Sequence, residues 1–251
     1  FCDNGVCKPL QNSCIGDDQC LPCQKCVNYK CEGTPCQRDG DVEEPKEYEQ
    51  PDLEVAAEGF RFTGFVWFQP QIIMASPIGP VDINGLLNQN IPQQIANGQI
   101  NFIFAPTTLE LTTYPYQAVF CQAQKPTDGI YRLNQLQDFA VEQNGTGSVY
   151  KFTSEKTDIS VPMQQFTFNL KEATIYGEYA ADLKSITNGV ITGALPREDA
   201  KQIAYGGMNL DSLIEASMNA GNMVSEVTMT DGSKGWLFFF TYESLQRVPV
   251  Q

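Results

Sequence analysis

The sequence predicts a mainly β protein in two unequal parts: a small disulfide-rich N-terminal module, and a larger β-sandwich or barrel-like domain with two or three short helices. Three observations carry this. Eight of the nine cysteines fall within the first 36 residues. An acidic, proline-punctuated stretch follows them. From Phe60 onward, short runs of aromatic and β-branched residues alternate with turn dipeptides, the pattern of an all-β domain. The expected boundaries are 1–36 for the module, 37–58 for a linker and 59–251 for the β-rich domain.

The module's cysteines are Cys2, Cys7, Cys14, Cys20, Cys23, Cys26, Cys31 and Cys36. Their density is that of a disulfide scaffold. So short a segment buries too little surface to fold on apolar contacts, and disulfides compensate by restricting the unfolded chain. Eight cysteines can pair in many ways, so connectivity stays open. Metal ligation is the competing reading. Cys20-x2-Cys23-x2-Cys26-x4-Cys31 approaches an iron–sulfur run, but its last gap is four and no proline follows Cys31. A four-cysteine zinc site or a redox-active CxxC would draw on the same residues. Either would leave other cysteines unexplained, and paired disulfides are the expectation.

Asp17-Asp18-Gln19-Cys20, followed by Cys26-Val27-Asn28-Tyr29-Lys30-Cys31, resembles the short cysteine-rich repeats of secreted and surface-anchored bacterial proteins. The β-rich part, with Ile191-Thr-Gly-Ala-Leu-Pro-Arg-Glu-Asp-Ala200 leading from a strand into a helix, is similar in texture to exported proteins of Gram-negative bacteria with a cysteine-rich N-terminal module. The resemblance implies an oxidising location (extracellular, cell surface or periplasmic) and no activity. It leaves room for a lipid anchor at Cys2, although a processed lipoprotein starts at its cysteine and here Phe1 precedes it.

The net charge is −14 and the sequence pI is near 4.3. That argues against nucleic acid and anionic lipid as partners, since both recruit Lys and Arg. From Gln37 to Glu58 nine acids face two bases, a net −7 and half the total. Like charges extend a chain, so the segment reads as a solvated linker. The longest apolar run, Trp236 to Phe240, is five residues, against the roughly 18–20 that span a bilayer. There is no histidine. This excludes Ser-His-Asp and Cys-His catalysis and the usual catalytic zinc sets. No catalytic residue, metal site or cofactor is expected.

In the large domain Phe60–Phe68 reads as the first strand. Further strands are expected at 100–104, 108–113, 117–122, 148–153, 165–170, 173–180, 186–195, 224–229 and 236–242. Trp236–Tyr242 lacks clean alternation and reads as a strand buried on both faces. A helix should open at Pro196 with Glu198 and Asp199 against its dipole, and a second at Asn209 as cap with Leu210, Leu213, Ile214 and Met218 on its apolar face. A third, broken at Pro92, covers 82–96.

Four candidate sites follow. Cys121 is the odd cysteine, either a buried free thiol or a cross-link. Glu178 and Asp182 are the best carboxylate pair, against a solvated-face alternative. Asn144-Gly145-Thr146 fits a glycosylation sequon, and Asp39-Gly40-Asp41 a fragment of a calcium loop. Last, Phe60, Phe62, Phe65, Val66 and Phe68 carry only Arg61 as a charge and would suit an edge strand that pairs with another chain, the alternative being pairing within the domain. The expected function is a structural or interaction protein at the cell surface, a subunit or accessory of an assembly that contacts a protein partner or itself. A glycan-binding module is the alternative, suggested by the aromatic and Asn/Gln content, with a carboxylate hydrolase behind it.

Overall fold

The computed structural model describes the backbone of 2–3, 6–7, 25–27 and 30–32, and residues 58–251 except 75–78, 125–127, 146–147, 164–165 and 245–246; the side chains of 135 and 166 are also left undescribed. The chain divides into two compact units, Phe1–Asp52 and Leu53–Gln251. In the first, β1 (Cys2–Asp3) pairs with β2 (Val6–Cys7) and β3 (Lys25–Val27) with β4 (Lys30–Glu32), both antiparallel. The side chains of all eight module cysteines, residues 37–57 of the linker and Asp39-Gly40-Asp41 lie outside the described residues, and so do the expectations placed on them; Glu58, the last residue expected in the linker, opens β5.

The second unit is mainly β. Its strands are β5 (Glu58–Arg61), β6 (Gly64–Gln69), β7 (Ile73–Met74), β8 (Val81–Asp82), β9 (Phe102–Pro106), β10 (Tyr116–Gln124), β11 (Arg132–Gln143), β12 (Lys151–Ser154), β13 (Thr157–Met163), β14 (Phe166–Tyr179), β15 (Ile186–Pro196), β16 (Ala204–Tyr205), β17 (Met208–Asn209), β18 (Glu226–Thr228), β19 (Lys234–Ser244) and β20 (Arg247–Pro249). Three helices accompany them among the described residues: α1 (Ile83–Ala96), α2 (Arg197–Gln202) and α3 (Leu210–Asn219). One twelve-stranded antiparallel sheet runs β18-β19-β15-β14-β12-β11-β10-β9-β5-β20, with β13 on β14 and β6 on β19. It curls into a half-barrel, not a two-sheet sandwich.

The curl is fixed at one corner. Phe62 donates its N–H to Phe102 O at 2.9 Å, and the next residue, Thr63, donates to Glu243 O at 2.7 Å. Successive amides of an extended chain point to opposite edges. The continuous segment Glu58–Gln69 therefore ties β9 at one end of the sheet to β19 at the other. What the sequence predicts as one strand is two, with this corner between them.

Inward-facing aromatics fill the curl. Phe62 stacks on Tyr242 at 4.1 Å and 7°, Phe65 on Phe240 at 5.0 Å, and Trp67 on Phe238 at 5.4 Å. Phe60, Phe152 and Tyr179 continue the stack. Offset and edge contacts of this kind add to the burial itself. A smaller cluster lies apart from this core: Ile103, Ala105, Val119, Cys121 and Ala123 pack with Val248 and Val250 of the C-terminal segment.

Several elements depart from expectation. β19 alternates after all: Trp236, Phe238, Phe240 and Tyr242 are buried, whereas Leu237, Phe239 and Thr241 are half-exposed. Residues 108–113 form a turn, in which Thr108 Oγ1 accepts from Glu110 N; such local side-chain bonds compete with strand pairing. The runs at 165–170 and 173–180 are one strand, β14, bent by register shifts. β11 and β13 are not foreseen, because Asn134, Gln137, Asp138 and Asp158 depress strand propensity. Pro92 does not break α1. It lies on the exposed face, where water can replace the lost backbone bond. The cap of α3 is as read: Asn209 Oδ1 accepts from Ser212 N at 2.8 Å. Just before it, Gly206 and Gly207 take φ of +59° and +83° in the β16–β17 hairpin turn, a backbone that favours glycine.

Candidate functional site

The Phe60–Phe68 candidates divide by face. Phe60, Phe62 and Phe65 are buried in the aromatic core, so their side chains cannot meet another molecule. Val66 and Phe68 point outward, 43% and 54% exposed. Phe68 rests edge-on against Phe239 at 5.8 Å. Beside them a groove of about 470 Å³ is lined by residues including Gly64, Val66, Asn188, Val190, Thr241 and Glu243. Its floor is shaped by Gly189, where an added Cβ would lie 2.6 Å from the Tyr242 ring and carbonyl.

α1 lies along the edge of this segment and the residues that follow it. Asn88 Oδ1 accepts from Trp67 N at 2.9 Å, and Asn88 Nδ2 donates to Trp67 O at 2.8 Å. One turn earlier, Asn84 accepts from Ile72 N and donates to Pro70 O, both at 2.8 Å. Ser217 Oγ accepts from Ile73 N at 2.9 Å. Each carboxamide supplies the donor and acceptor that a neighbouring strand would have offered. At these positions the edge is already occupied.

A second site lies where the sheet opens. β11 pairs with β12 only over its last three residues, Val141–Gln143, and β13 pairs with β14 alone. A side chain spans the separation between β11 and β13, where Gln137 Oε1 accepts from Ser160 N at 3.1 Å; just before β13, Glu155 Oε1 accepts from Ala140 N at 2.8 Å. Near this opening a pocket of about 270 Å³ is lined by Gln94, Gln99, Ile100, Gln122, Pro162 and Met163. Gln94 is 6% exposed. Gln122 Nε2 donates to Gln99 O at 3.2 Å, while Gln122 Oε1 is buried without a hydrogen-bond partner.

Two further polar clusters are structural. Arg197 donates through Nε and Nη2 to both carboxylate oxygens of Asp211, pairs with Glu215 and Glu226, and lies 4.7 Å from the Trp236 ring centroid. Trp236 Nε1 donates to Asp211 at 2.7 Å. Burial pushes the Asp211 carboxyl up, but hydrogen bonds from Arg197 and Trp236 outweigh it and hold it below the usual range. The network ties α2 and α3 to β19. In the interior, Tyr116 and Tyr179 share a hydroxyl–hydroxyl bond, and burial raises both phenols, so they stay protonated as hydrogen-bonding groups.

Glu178 is half-buried on β14 in register with Lys151, and Asp182 is exposed and caps a turn by accepting from Lys184 N. Asn144 is exposed at the end of β11. Cys121 is a free, buried thiol, and desolvation pushes it up to about 12, which disfavours the reactive thiolate. No helix among the described residues is long and apolar enough to cross a membrane, and none of these residues form a cluster of three or more metal-ligating side chains. Comparison with known proteins gives no matching family model, no similar curated protein and no similar solved structure.

Sequence reasoning missed both the carboxamide edge cap and the glutamine pocket. The pocket joins residues from α1, the loop after it, β10 and β13, and no sequence spacing signals that convergence. The cap had a faint signal: Asn84 and Asn88 stand at i and i+4, on one helix face.

Proposed function

We propose that the chain is a non-catalytic interaction protein of the cell surface, an accessory or subunit of an extracellular assembly. Its contact face is the outward side of β6 and β19. The observation that carries this is the exposure of Val66 and Phe68 on a strand whose inward residues, Phe65 and Trp67, are anchored in the core. An exposed Phe on a rigid strand costs little ordering entropy when it is covered, as good contact residues do. Glu243 lines the adjoining groove and the chain carries −14 overall. The occupant of complementary chemistry is therefore a protein segment with an apolar side chain for the groove and a Lys or Arg beside it. A second copy of the chain would bring like charge to the same place.

The cysteine-dense start supports an extracellular setting, where disulfides persist. Selection of displayed random peptides on the full chain tests the reading, with counter-selection on Val66→Asp/Phe68→Ser. Enriched peptides should pair apolar with basic residues and bind more weakly as salt rises. Enrichment that is equal on the double variant, or that favours acidic peptides, refutes it.

A further inference from the structure

The glutamine-lined pocket carries an inference that is independent of the protein-contact face. We propose that it is a binding site for one residue of a neutral saccharide. The six lining residues include three glutamines, Gln94, Gln99 and Gln122, and three apolar residues, Ile100, Pro162 and Met163. None of them is charged, so nothing there offsets the desolvation of an ionic ligand. A carboxamide both donates and accepts, and so matches a hydroxyl, which does the same. A pyranose combines a rim of hydroxyls with a face of C–H groups, the same two chemistries that meet in this pocket.

The pocket also holds an unmet demand. Gln122 Oε1 is buried with no partner, while the same carboxamide is anchored through Nε2 to Gln99 O. Leaving a buried acceptor unpaired is unfavourable, and a ligand hydroxyl is the donor it lacks. Gln94 is held from below: its backbone oxygen accepts from Gln99 N at 2.8 Å and from Ile100 N at 3.3 Å, which folds the loop after α1 over the pocket. The volume of about 270 Å³ lies just under the ~300–1,000 Å³ of drug-sized sites. It suits a single sugar ring presented from a longer chain.

The experiment is saturation-transfer NMR on the full chain with methyl pyranosides of glucose, galactose and mannose, each alone and then against glycerol. At least one pyranoside should show transfer with an affinity of about 1 mM or better. Gln122→Leu should weaken it about 3–10-fold, the worth of one hydrogen bond. Gln99→Ala, an exposed change that spares the core, should weaken it in the same direction. Val66→Asp/Phe68→Ser should leave it unchanged, which separates this site from the protein-contact face. Absence of transfer from all three pyranosides, the result of a pocket filled by water alone, overturns the proposal. So does equal transfer in the Gln122 and Gln99 variants, or displacement by glycerol at equal concentration.

Discussion

Asn84→Ala removes one carboxamide and leaves two backbone groups stranded. Ile72 N–H and Pro70 C=O each lose a 2.8 Å bond, and Asn84 itself is only 5% exposed, so water reaches neither readily. A buried polar group left unsatisfied costs about 1–3 kcal/mol, so the two together predict about 2–6 kcal/mol. For a domain of this size each kcal/mol moves Tm by about 2–4 °C, giving a fall of about 4–24 °C. Urea titration followed by circular dichroism measures the first quantity and thermal melting the second. Asn90→Ala is the control. Asn90 is exposed on the same helix and bonds only Leu86 O, so its loss should stay within about 0.5 kcal/mol.

Asn84→Asp sharpens the test. An ionised carboxylate still accepts from Ile72 N but cannot donate to Pro70 O. Its protonated form can do both. Burial and that hydrogen bond raise the introduced carboxyl above its unfolded value of about 3.9. The folded state then binds more protons than the unfolded one across the window between the two values. Stability relative to the parent is greatest below the unfolded value and is lost as pH rises through the folded one. A deficit that shrinks on acidification confirms the cap. A deficit independent of pH, or Asn84→Ala within error of Asn90→Ala, refutes the reasoning.

Two other outcomes follow. Arg197→Met leaves Asp211, whose side chain is 6% exposed, without its cation, and should cost about 3–5 kcal/mol in urea melts. Arg197→Met/Asp211→Leu should recover part of that loss, and full additivity of the two single changes would sink the network reading. In the parent the depressed Asp211 carboxyl contributes stability that is present above its unfolded value of about 3.9 and lost as pH falls through its lower folded value. Arg197→Met should flatten that acid limb, and an unchanged limb counts against it. Cys121 should resist a thiol reagent at pH 8 in the folded domain and react fully in urea. Prompt labelling of the native protein would contradict its burial.

The sequence by itself determined the class of the large domain and much of its local structure. The strand-like runs at 117–122 and 186–195 and the cap at Asn209 are short-range signals, and the structure has an element at each place. The absence of histidine likewise excluded whole classes of catalysis without any structure. Tertiary structure decided what short-range signals cannot encode. β11 forms despite its polar residues because β10 pairs along most of its length, so pairing outweighs propensity. Phe60–Phe68 reads as one apolar strand, yet only folding shows that consecutive amides at Phe62 and Thr63 reach opposite ends of the sheet. The same closure buries Phe60, Phe62 and Phe65, leaves Val66 and Phe68 outside, and brings α1 over the edge with two asparagines in register. The glutamine pocket is a property of that arrangement alone, since its six residues are up to 69 positions apart and meet only because the curled sheet returns β13 to the end of α1.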